Sequence, residues 1–382
     1  MPITTLAQGA QGAQGAQGAQ GAQGAQGAQG AAAALGASPL GLVTARDGIA
    51  GSAAGSLKPR QPAACTPSNL ALWPAWCRHH VLLGEIIGRV TVTPVAGGEG
   101  VALHLLTLAS VTGGTPVPSL HQVAQMIRPS PEDFAAQAQL VLDYADLRLD
   151  RAQEIVDQVT GCMTYLTPIL PMEPERMRFT LQLLSLVEAV AVHLAQACKH
   201  HLACLRPHAF SAQLQPMIQT PGHSALPSGH ATEAFALAET LRLLVPQTKA
   251  EDDAIRPVDM LMAQAARIAV NRTVAGLHFP VDSFAGAFLG ILAARLIAAR
   301  AGQGPLPVEA VFDGSGIRAT DFHADAIWDR AAQAPVTWPS ETYGGEAGSF
   351  MLNYGKTLPA EADGLASDLV AWLWDRAQRE WA

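Results

Sequence analysis

The sequence has few charged and few aromatic side chains. Charged residues make up 15% of the 382 residues and aromatic residues 5%, whereas hydrophobic residues make up 49%. This composition is typical of a globular protein with buried helices. The formal net charge of −8 shows no basic excess, so we expect no nucleic-acid partner.

Three further signals are absent. The five cysteines have no CxxC spacing, and an odd, scattered set predicts buried thiols and not a disulfide framework or a zinc site. No uninterrupted apolar run reaches the length of about 18 residues that indicates a membrane span; the longest, Phe284 to Ala294, ends at Arg295. The N-terminus lacks a basic region followed by an apolar one. We therefore expect a soluble protein without a membrane span or secretory signal, and we favour the cytoplasm.

The first 56 residues are of low complexity. Residues 8–30 repeat Gln-Gly-Ala, and the segment up to about Ser56 is rich in Gly, Ala and Ser. Because the repeat has no hydrophobic face, a disordered tail is predicted over 1–56. A tolerated expansion without function explains it equally well.

Helical periodicity dominates the chain from Ser130 onward. Residues 96–118 predict a short strand or a loop, and helices are predicted near 131–145, 148–163, 175–203, 229–246, 258–270, 280–300, 321–333 and 361–381. Gly286 and Gly290, four apart, should let a neighbouring helix pack closely. We therefore predict an all-α fold, with a helical domain over 69–300 and a C-terminal helical extension over 301–382 packed on it. The last helix should dock on the core or on a partner, which leaves a homo-oligomer open.

The stretch Pro227-Ser228-Gly229-His230 stands where a helix begins. Free backbone N–H groups and the positive end of the helix dipole favour a bound anion at such a place. A hydroxyl, two backbone donors and an imidazole could hold an oxyanion there and transfer a proton. Ser and Gly are common at helix starts, so this motif alone is weak evidence.

Two other stretches supply cations and a second imidazole. Lys199 and Arg206 are seven residues apart, which would put both on one helix face; a solvated basic face is the plainer interpretation. Arg272 and His278 are followed by Asp282, which could accept a hydrogen bond from one nitrogen of His278 and leave the other free as a nucleophile or ligand. The alternative is a core histidine capped by a carboxylate.

Together the three stretches fit a multiply charged tetrahedral oxyanion, since three cations balance its charge and donors surround its oxygens. The pattern Lys-x6-Arg-Pro, Pro-Ser-Gly-His, Arg-x5-His-x3-Asp, over 199–282, resembles the tripartite signature of type 2 phosphatidic acid phosphatases, bacterial non-specific acid phosphatases and vanadium-dependent haloperoxidases. The resemblance implies a helical bundle of the haloperoxidase/acid phosphatase type. Asn271 departs from the signature, which usually has Ser before the arginine.

The resemblance also implies roles for single residues. His278 would be the apical ligand of the vanadium of vanadate or the nucleophile at phosphorus, His230 the general acid/base, and Asp282 the group that orients His278. The oxygens of the oxyanion would be held by Lys199, Arg206, Ser228, Gly229 and Arg272. His223 matches a position on the halide and peroxide side; a loop histidine at the pocket rim is an equal alternative.

Three functions remain open at this stage. The first is a vanadate-dependent haloperoxidase that oxidises halide with hydrogen peroxide. It is favoured by the absence of a predicted membrane span and by a chain longer than the small acid phosphatases. The sequence of residues 271–283 also looks most like bacterial haloperoxidase-type sequences. The second is a soluble acid phosphatase that hydrolyses phosphomonoesters through a phosphohistidine, since phosphate can occupy the same site as vanadate. The third is a non-catalytic anion-binding helical protein.

Overall fold

The computed structural model describes residues 62–109, 114–246, 256–336, 348–351, 356–360 and 362–382. The predicted disordered tail, with its Gln-Gly-Ala repeat, lies outside them. The chain divides into two compact units, Met1–His80 and Val81–Ala382. In the first, Arg78 of the following helix donates hydrogen bonds to the carbonyls of Leu70 and Trp73, which tie down a 3-10 turn at Pro67–Leu72.

Helices form the larger part of the described secondary structure. In chain order they are α1 (Ala75–Ile87), α2 (Pro131–Ala136), α3 (Ala138–Asp143), α4 (Arg148–Asp157), α5 (Met163–Leu166), α6 (Arg178–Leu202), α7 (Gly229–Leu244), α8 (Pro257–Val274), α9 (Pro280–Arg300) and α10 (Asp368–Arg379). A short 3-10 turn at Gln158–Thr160 continues α4. Ser130 caps α2 as its sequence suggests, accepting from the Asp133 amide, while the Asp133 carboxylate accepts in return from the Ser130 amide.

The structure also contains β-sheet, so the all-α prediction is wrong in this respect. The strands are β1 (Val90–Pro94), β2 (Gly100–Ala109), β3 (Val117–Ile127), β4 (Leu306–Pro307), β5 (Ala310–Asp313), β6 (Trp328–Asp329), β7 (Ala334–Pro335), β8 (Ser349–Met351) and β9 (Thr357–Leu358). The main sheet has the order β1-β2-β3-β5-β8, in which only the β3–β5 pair is parallel. Its apolar face packs on helices: Leu103 and Val123 of the sheet line one small cavity with Leu194 and Leu292.

Helix α7 lies at the centre of the helical core. It packs against α6, α8 and α9, and nearly all of α9 is buried. A Cβ at Gly286 would lie 2.6 Å from the Cβ of Ala231 and 2.7 Å from the Ser228 carbonyl oxygen, and Gly290 is equally tight against the Thr232 carbonyl. The two glycines therefore let α9 approach the first turn of α7, as their spacing predicted.

Two described helical segments are long and apolar enough to cross a membrane. They are Arg178–Ala209 and Pro280–Arg300, with mean hydropathies of 1.5 and 1.6. Protein surrounds 94% of the apolar window in the second and 50% of it in the first. A core helix of a soluble protein has the same composition, so length and hydropathy alone do not assign either segment to a membrane. The absence of a membrane span stays a prediction.

The C-terminal region differs most from its prediction. Residues 321–333, predicted as a helix, hold a 3-10 turn at Ala324–Ala326 and one short strand, β6, whereas the terminal helix is present as α10. That helix docks on the core: the Glu380 carboxylate after it accepts bonds from the amides of Phe179 and Thr180 at 2.9 and 2.8 Å. The division of the chain at residue 300 stays a prediction.

The five cysteines are free, but Cys65 is exposed and Cys77 only half-buried.

Candidate functional site

The site is organised around the first turn of α7. Ser228 is the N-cap of this helix, and its hydroxyl accepts from the Ala231 amide at 3.4 Å. Its own amide donates to the Asp282 carbonyl oxygen at 2.8 Å, which joins the second motif to the third. A Cβ at Gly229 would meet nothing closer than a Glu233 carboxylate oxygen, at 3.6 Å. The Glu233 side chain therefore lies in van der Waals contact with this position of the helix start, where backbone donors favour an anion.

Lys199 and Arg206 enter the site from different local structures. Helix α6 ends at Leu202, because Ala203 takes a left-handed conformation with φ 49°. Lys199 lies in the last turn of this helix, whereas Arg206 is extended. The prediction that two helical turns bring both cations to one helix face is therefore wrong. The loop after Ala203 does bring Arg206 to the site, and the side chains of both cations are buried.

Both cations are held by backbone carbonyls. The Lys199 ammonium donates to the carbonyls of Ser224 and Ala225 at 2.8 and 2.7 Å. Arg206 donates from Nε to the His223 carbonyl at 3.1 Å and from one terminal nitrogen to the Leu277 carbonyl at 2.9 Å. These bonds fix the two side chains without adding a counter-charge, because a carbonyl carries no net charge. Burial and the charge of Arg206 lower the pKa of Lys199 to about 7.

The imidazole of His278 has a defined tautomer. Its Nδ1 lies 3.0 Å from a carboxyl oxygen of Asp282, whose pKa is raised to about 7 by burial; that Nδ1 carries the proton follows from the partner of the other ring nitrogen. Its Nε2 lies 3.3 Å from an Arg206 nitrogen, which can only donate, so Nε2 presents its lone pair. Burial, together with Arg206, Lys199 and other cationic neighbours, holds the pKa of His278 well below its usual value. His278 is therefore a neutral, oriented imidazole whose unprotonated Nε2 faces Arg206.

His230 is oriented in the opposite sense. Its Nε2 lies 2.9 Å from the Gln158 carbonyl oxygen and must donate to it. In the neutral ring the lone pair is then on Nδ1. Burial and the charge of Arg272 lower the pKa of His230 to about 3. Without a bound anion, His230 is therefore neutral at physiological pH, with an unprotonated Nδ1.

Arg272 offers unused donors. Its NH2 group donates to the Gln158 side-chain oxygen at 2.7 Å and to the Ile155 carbonyl at 3.2 Å. Its Nε and NH1 groups are buried without a hydrogen-bond partner. Unpaired buried donors are costly, and they mark the place where a ligand acceptor is expected. Burial lowers the pKa of Arg272 to about 10, so the guanidinium stays charged at neutral pH.

His223 lies at the edge of this group. It is exposed, and its Nδ1 is 3.3 Å from the second terminal nitrogen of Arg206. Partial burial and the charge of Lys199 lower the pKa of His223. The structure thus places His223 at the exposed edge of the site, beside Arg206. This place fits a residue on the halide and peroxide side and fits a loop histidine equally well.

The three motifs therefore converge. Lys199, Arg206 and Arg272 all depress the pKa values of His230 and His278, so the three cations and both imidazoles share one electrostatic environment. A family model described as the PAP2 superfamily matches residues 180–303, the segment that carries all of these side chains. Over these residues the chain is similar to the PAP2 superfamily. The match confirms the resemblance seen in the motifs, and no curated protein matches the chain.

The PAP2 segment contains a pair of carboxyl groups that the motifs did not predict. Glu233 follows His230 by one turn of α7, and a Glu188 oxygen lies 3.9 Å from the position of a Cβ on Gly161. Both carboxyl groups raise the pKa of the Cys162 thiol, whose sulfur is 3.8 Å from the His230 carbonyl. Spacing along α7 could have pointed to Glu233; Glu188 lies on another helix and gave no such signal.

We expect replacement of Glu233 by Gln to stabilise the protein at alkaline pH. Burial and the charge of Glu188 raise the pKa of this carboxyl from 4.5 to about 8. The unfolded chain releases the proton earlier, so the folded state loses stability as pH rises from 4.5 to 8. Glu233→Gln removes this penalty, and its advantage in Tm over the wild type should grow by roughly 2 to 4 °C between pH 5 and pH 8.

Differential scanning fluorimetry at both pH values measures this change. The matched control is Glu175→Gln, which makes the same substitution at an exposed position and should give a pH-independent difference. An equal Tm difference at pH 5 and pH 8 for Glu233→Gln would show that this carboxyl is ionised in the folded protein throughout.

Proposed function

We propose that the pocket binds a tetrahedral oxyanion and that the enzyme is a vanadate-dependent haloperoxidase. The observation that carries the proposal is the set of unpaired, buried Nε and NH1 donors of Arg272 beside two neutral, oppositely oriented imidazoles. The buried side chains of Lys199, Arg206 and Arg272 also fit an oxyanion. The PAP2 superfamily includes phosphatases and haloperoxidases, and both bind such an anion.

Vanadate would be held by residues from all three motifs. The His278 Nε2 lone pair would be the ligand of vanadium, and the oxygens would take donors from Lys199, Arg206, Ser228, Gly229 and Arg272. When bound, vanadate supplies a redox-inactive Lewis acid that activates hydrogen peroxide. In the net reaction the halide loses two electrons to the O–O bond, one proton is consumed, and hypohalous acid and water are formed.

The protein's own contribution is proton transfer and orientation. The His230 Nδ1 lone pair would accept a proton from peroxide. The low pKa of His230 in the anion-free protein keeps this nitrogen unprotonated. Asp282 holds His278 in the tautomer that leaves Nε2 free. His223, exposed at the rim beside Arg206, would meet the halide or the peroxide on its way in.

A second candidate is an acid phosphatase that hydrolyses phosphomonoesters, with phosphate in the place of vanadate. It is favoured by the buried, neutral Nε2 of His278, which is the state that a nucleophile at phosphorus needs. A bond would form from Nε2 to phosphorus while the ester P–O bond breaks, and His230 would protonate the leaving oxygen. Because the low pKa of His230 comes partly from neighbouring cations, a bound dianion would raise it.

The third candidate, a non-catalytic anion-binding protein, needs the cations and not two imidazoles of defined tautomer. A homo-oligomer and a cytoplasmic location stay predictions. The haloperoxidase would bind hydrogen peroxide and halide, and the phosphatase would bind a phosphate ester. Neither enzyme would bind nucleic acid.

One titration separates the three functions. Purified protein, freed of phosphate by dialysis, is supplied with increasing orthovanadate and assayed in parallel for bromination of a dione dye with peroxide and bromide, and for hydrolysis of a chromogenic phosphate ester. Vanadate should switch on bromination, with half-saturation equal to its dissociation constant. Ester hydrolysis that vanadate inhibits would replace the proposal by the phosphatase, and vanadate binding without either turnover would leave the binding protein.

A further inference from the structure

Gln158 contacts both the arginine and the histidine of the site. It is fully buried in the 3-10 turn after α4 and belongs to none of the three motifs. Its side-chain oxygen accepts from Arg272 at 2.7 Å, and its backbone carbonyl accepts from His230 Nε2 at 2.9 Å. One residue therefore sets the rotation of the guanidinium and the tautomer of the imidazole.

The orientation of the Gln158 amide is determined by its neighbours. Its oxygen faces two donors, Arg272 and the Asn271 side-chain nitrogen at 3.1 Å, while its nitrogen donates to a Glu154 oxygen at 3.2 Å. Asn271 is itself held, because its oxygen accepts from Arg151 at 2.9 Å. Asn271, which stands where the signature usually has Ser, thus serves to fix Gln158.

The chemistry of the amide matters because it is neutral. No carboxylate makes a hydrogen bond to Arg272 among the described residues, and the nearby Glu154 carboxylate is paired with Arg267 at 2.8 Å. The amide therefore orients Arg272 without cancelling its charge, and Nε and NH1 stay available. A glutamate in the same place would form an ion pair with Arg272 and reduce the positive charge offered to a ligand.

We propose that Gln158 is a positioning residue that aligns Arg272 and His230 as a unit and, by being uncharged, reserves the full charge of Arg272 for the oxyanion. The inference rests on the proposed binding of an oxyanion at this site. It makes the charge at position 158 a determinant of how strongly the pocket binds dianionic orthovanadate or phosphate.

Exchanging the amide and the carboxylate between positions 154 and 158 tests the proposal. The double variant Glu154→Gln/Gln158→Glu keeps the net charge and gives each side chain a chemically matched neighbour, but it moves one negative charge from Arg267 to Arg272. The dissociation constant of orthovanadate should rise roughly 10- to 100-fold. In the anion-free protein the imidazole pKa of His230, followed by NMR, should rise by about one unit, since the neighbouring cation is now neutralised.

Two single variants separate charge from packing. Glu154→Gln is the matched control and should leave both the vanadate affinity and the His230 titration near those of the wild type. Gln158→Met removes the hydrogen bonds without adding charge, so it should weaken vanadate binding but leave the His230 pKa in place. An unmoved His230 pKa in the exchanged protein, or a loss of affinity in Gln158→Met as large as in the exchanged protein, overturns the proposal.

A failure of the proposed function can be distinguished from a failure of the inference about Gln158. Wild-type protein that binds neither orthovanadate nor phosphate would reject the oxyanion site, while the His230 titration, measured without any anion, would still decide whether position 158 controls the charge felt by that imidazole. If the exchanged protein does not fold, as shown by its circular dichroism, Gln158→Glu alone is measured at neutral pH, where the new carboxylate is ionised, and its orthovanadate affinity should fall further than that of Gln158→Met; an equal loss in the two single variants overturns the proposal.

Discussion

Replacing His278 by alanine is expected to lower turnover by about 10³-fold or more, whichever of the two enzyme functions is correct. The reason is that Nε2 of His278 is a buried lone pair in this site, held by Asp282 in a neutral tautomer. The same atom serves as vanadium ligand in one function and as nucleophile in the other. Initial rates of bromination and of phosphate-ester hydrolysis, measured at saturating substrate, test the expectation.

The control for this substitution is His208→Ala. His208 is exposed and lies only two residues after Arg206, so its removal should change either rate by less than about twofold. Circular dichroism and Tm show whether the His278 variant is folded, and His278→Gln provides a second, polar replacement. Activity retained in folded His278 variants would contradict both enzyme functions at once.

Replacing Arg272 by alanine should weaken binding of orthovanadate or phosphate by about 10²-fold or more. Removing one partner of a buried, hydrogen-bonded charge pair costs roughly 2 to 5 kcal/mol, and a tenfold change in affinity corresponds to about 1.4 kcal/mol. The effect should be large because Nε and NH1 have no protein partner and are available only to a ligand. Equilibrium dialysis with elemental analysis for vanadium gives the dissociation constant directly.

Arg267→Ala is the matched control on the same helix. Its side chain is 45% exposed and pairs with Glu154, so its loss should shift the dissociation constant by less than about threefold. Arg272→Lys should recover part of the affinity, since it keeps the charge and loses the planar fork. Unchanged vanadate binding in Arg272→Ala would place the anion elsewhere.

The sequence predicted the helices of the core well because each carries its own boundary signals. Pro280 and Arg300 bound α9 as predicted, and Gly286 with Gly290 indicated its close neighbour. The pairing of β3 with β5 was missed because it joins segments nearly two hundred residues apart in the chain. The consecutive strands β1, β2 and β3 pair locally, but their sequences predicted only a short strand or a loop near 96–118. Residues 321–333 read as helical by composition, yet tertiary contacts there favour one short strand.

The convergence of the motifs was predictable, but the local route was not. Order and spacing brought Lys199, Arg206 and His278 together as candidates, and the structure places Arg206 next to His278. The left-handed turn at Ala203 could not be foreseen, because alanine has no preference for that conformation. Gln158 gave no signal either, since a glutamine at the end of an amphipathic helix is ordinary until its hydrogen-bond partners are known.

The tight contact of α9 with the start of α7 has a consequence for how this protein tolerates change. A Cβ at Gly286 would lie 2.7 Å from the Ser228 carbonyl oxygen, so the proposed anion site adjoins the surface that sets the spacing of two core helices. Mutations that thicken α9 at this point should therefore reduce thermal stability and ligand affinity in proportion. Selection for stability and selection for ligand affinity would therefore both act on the contact between Gly286 and the start of α7.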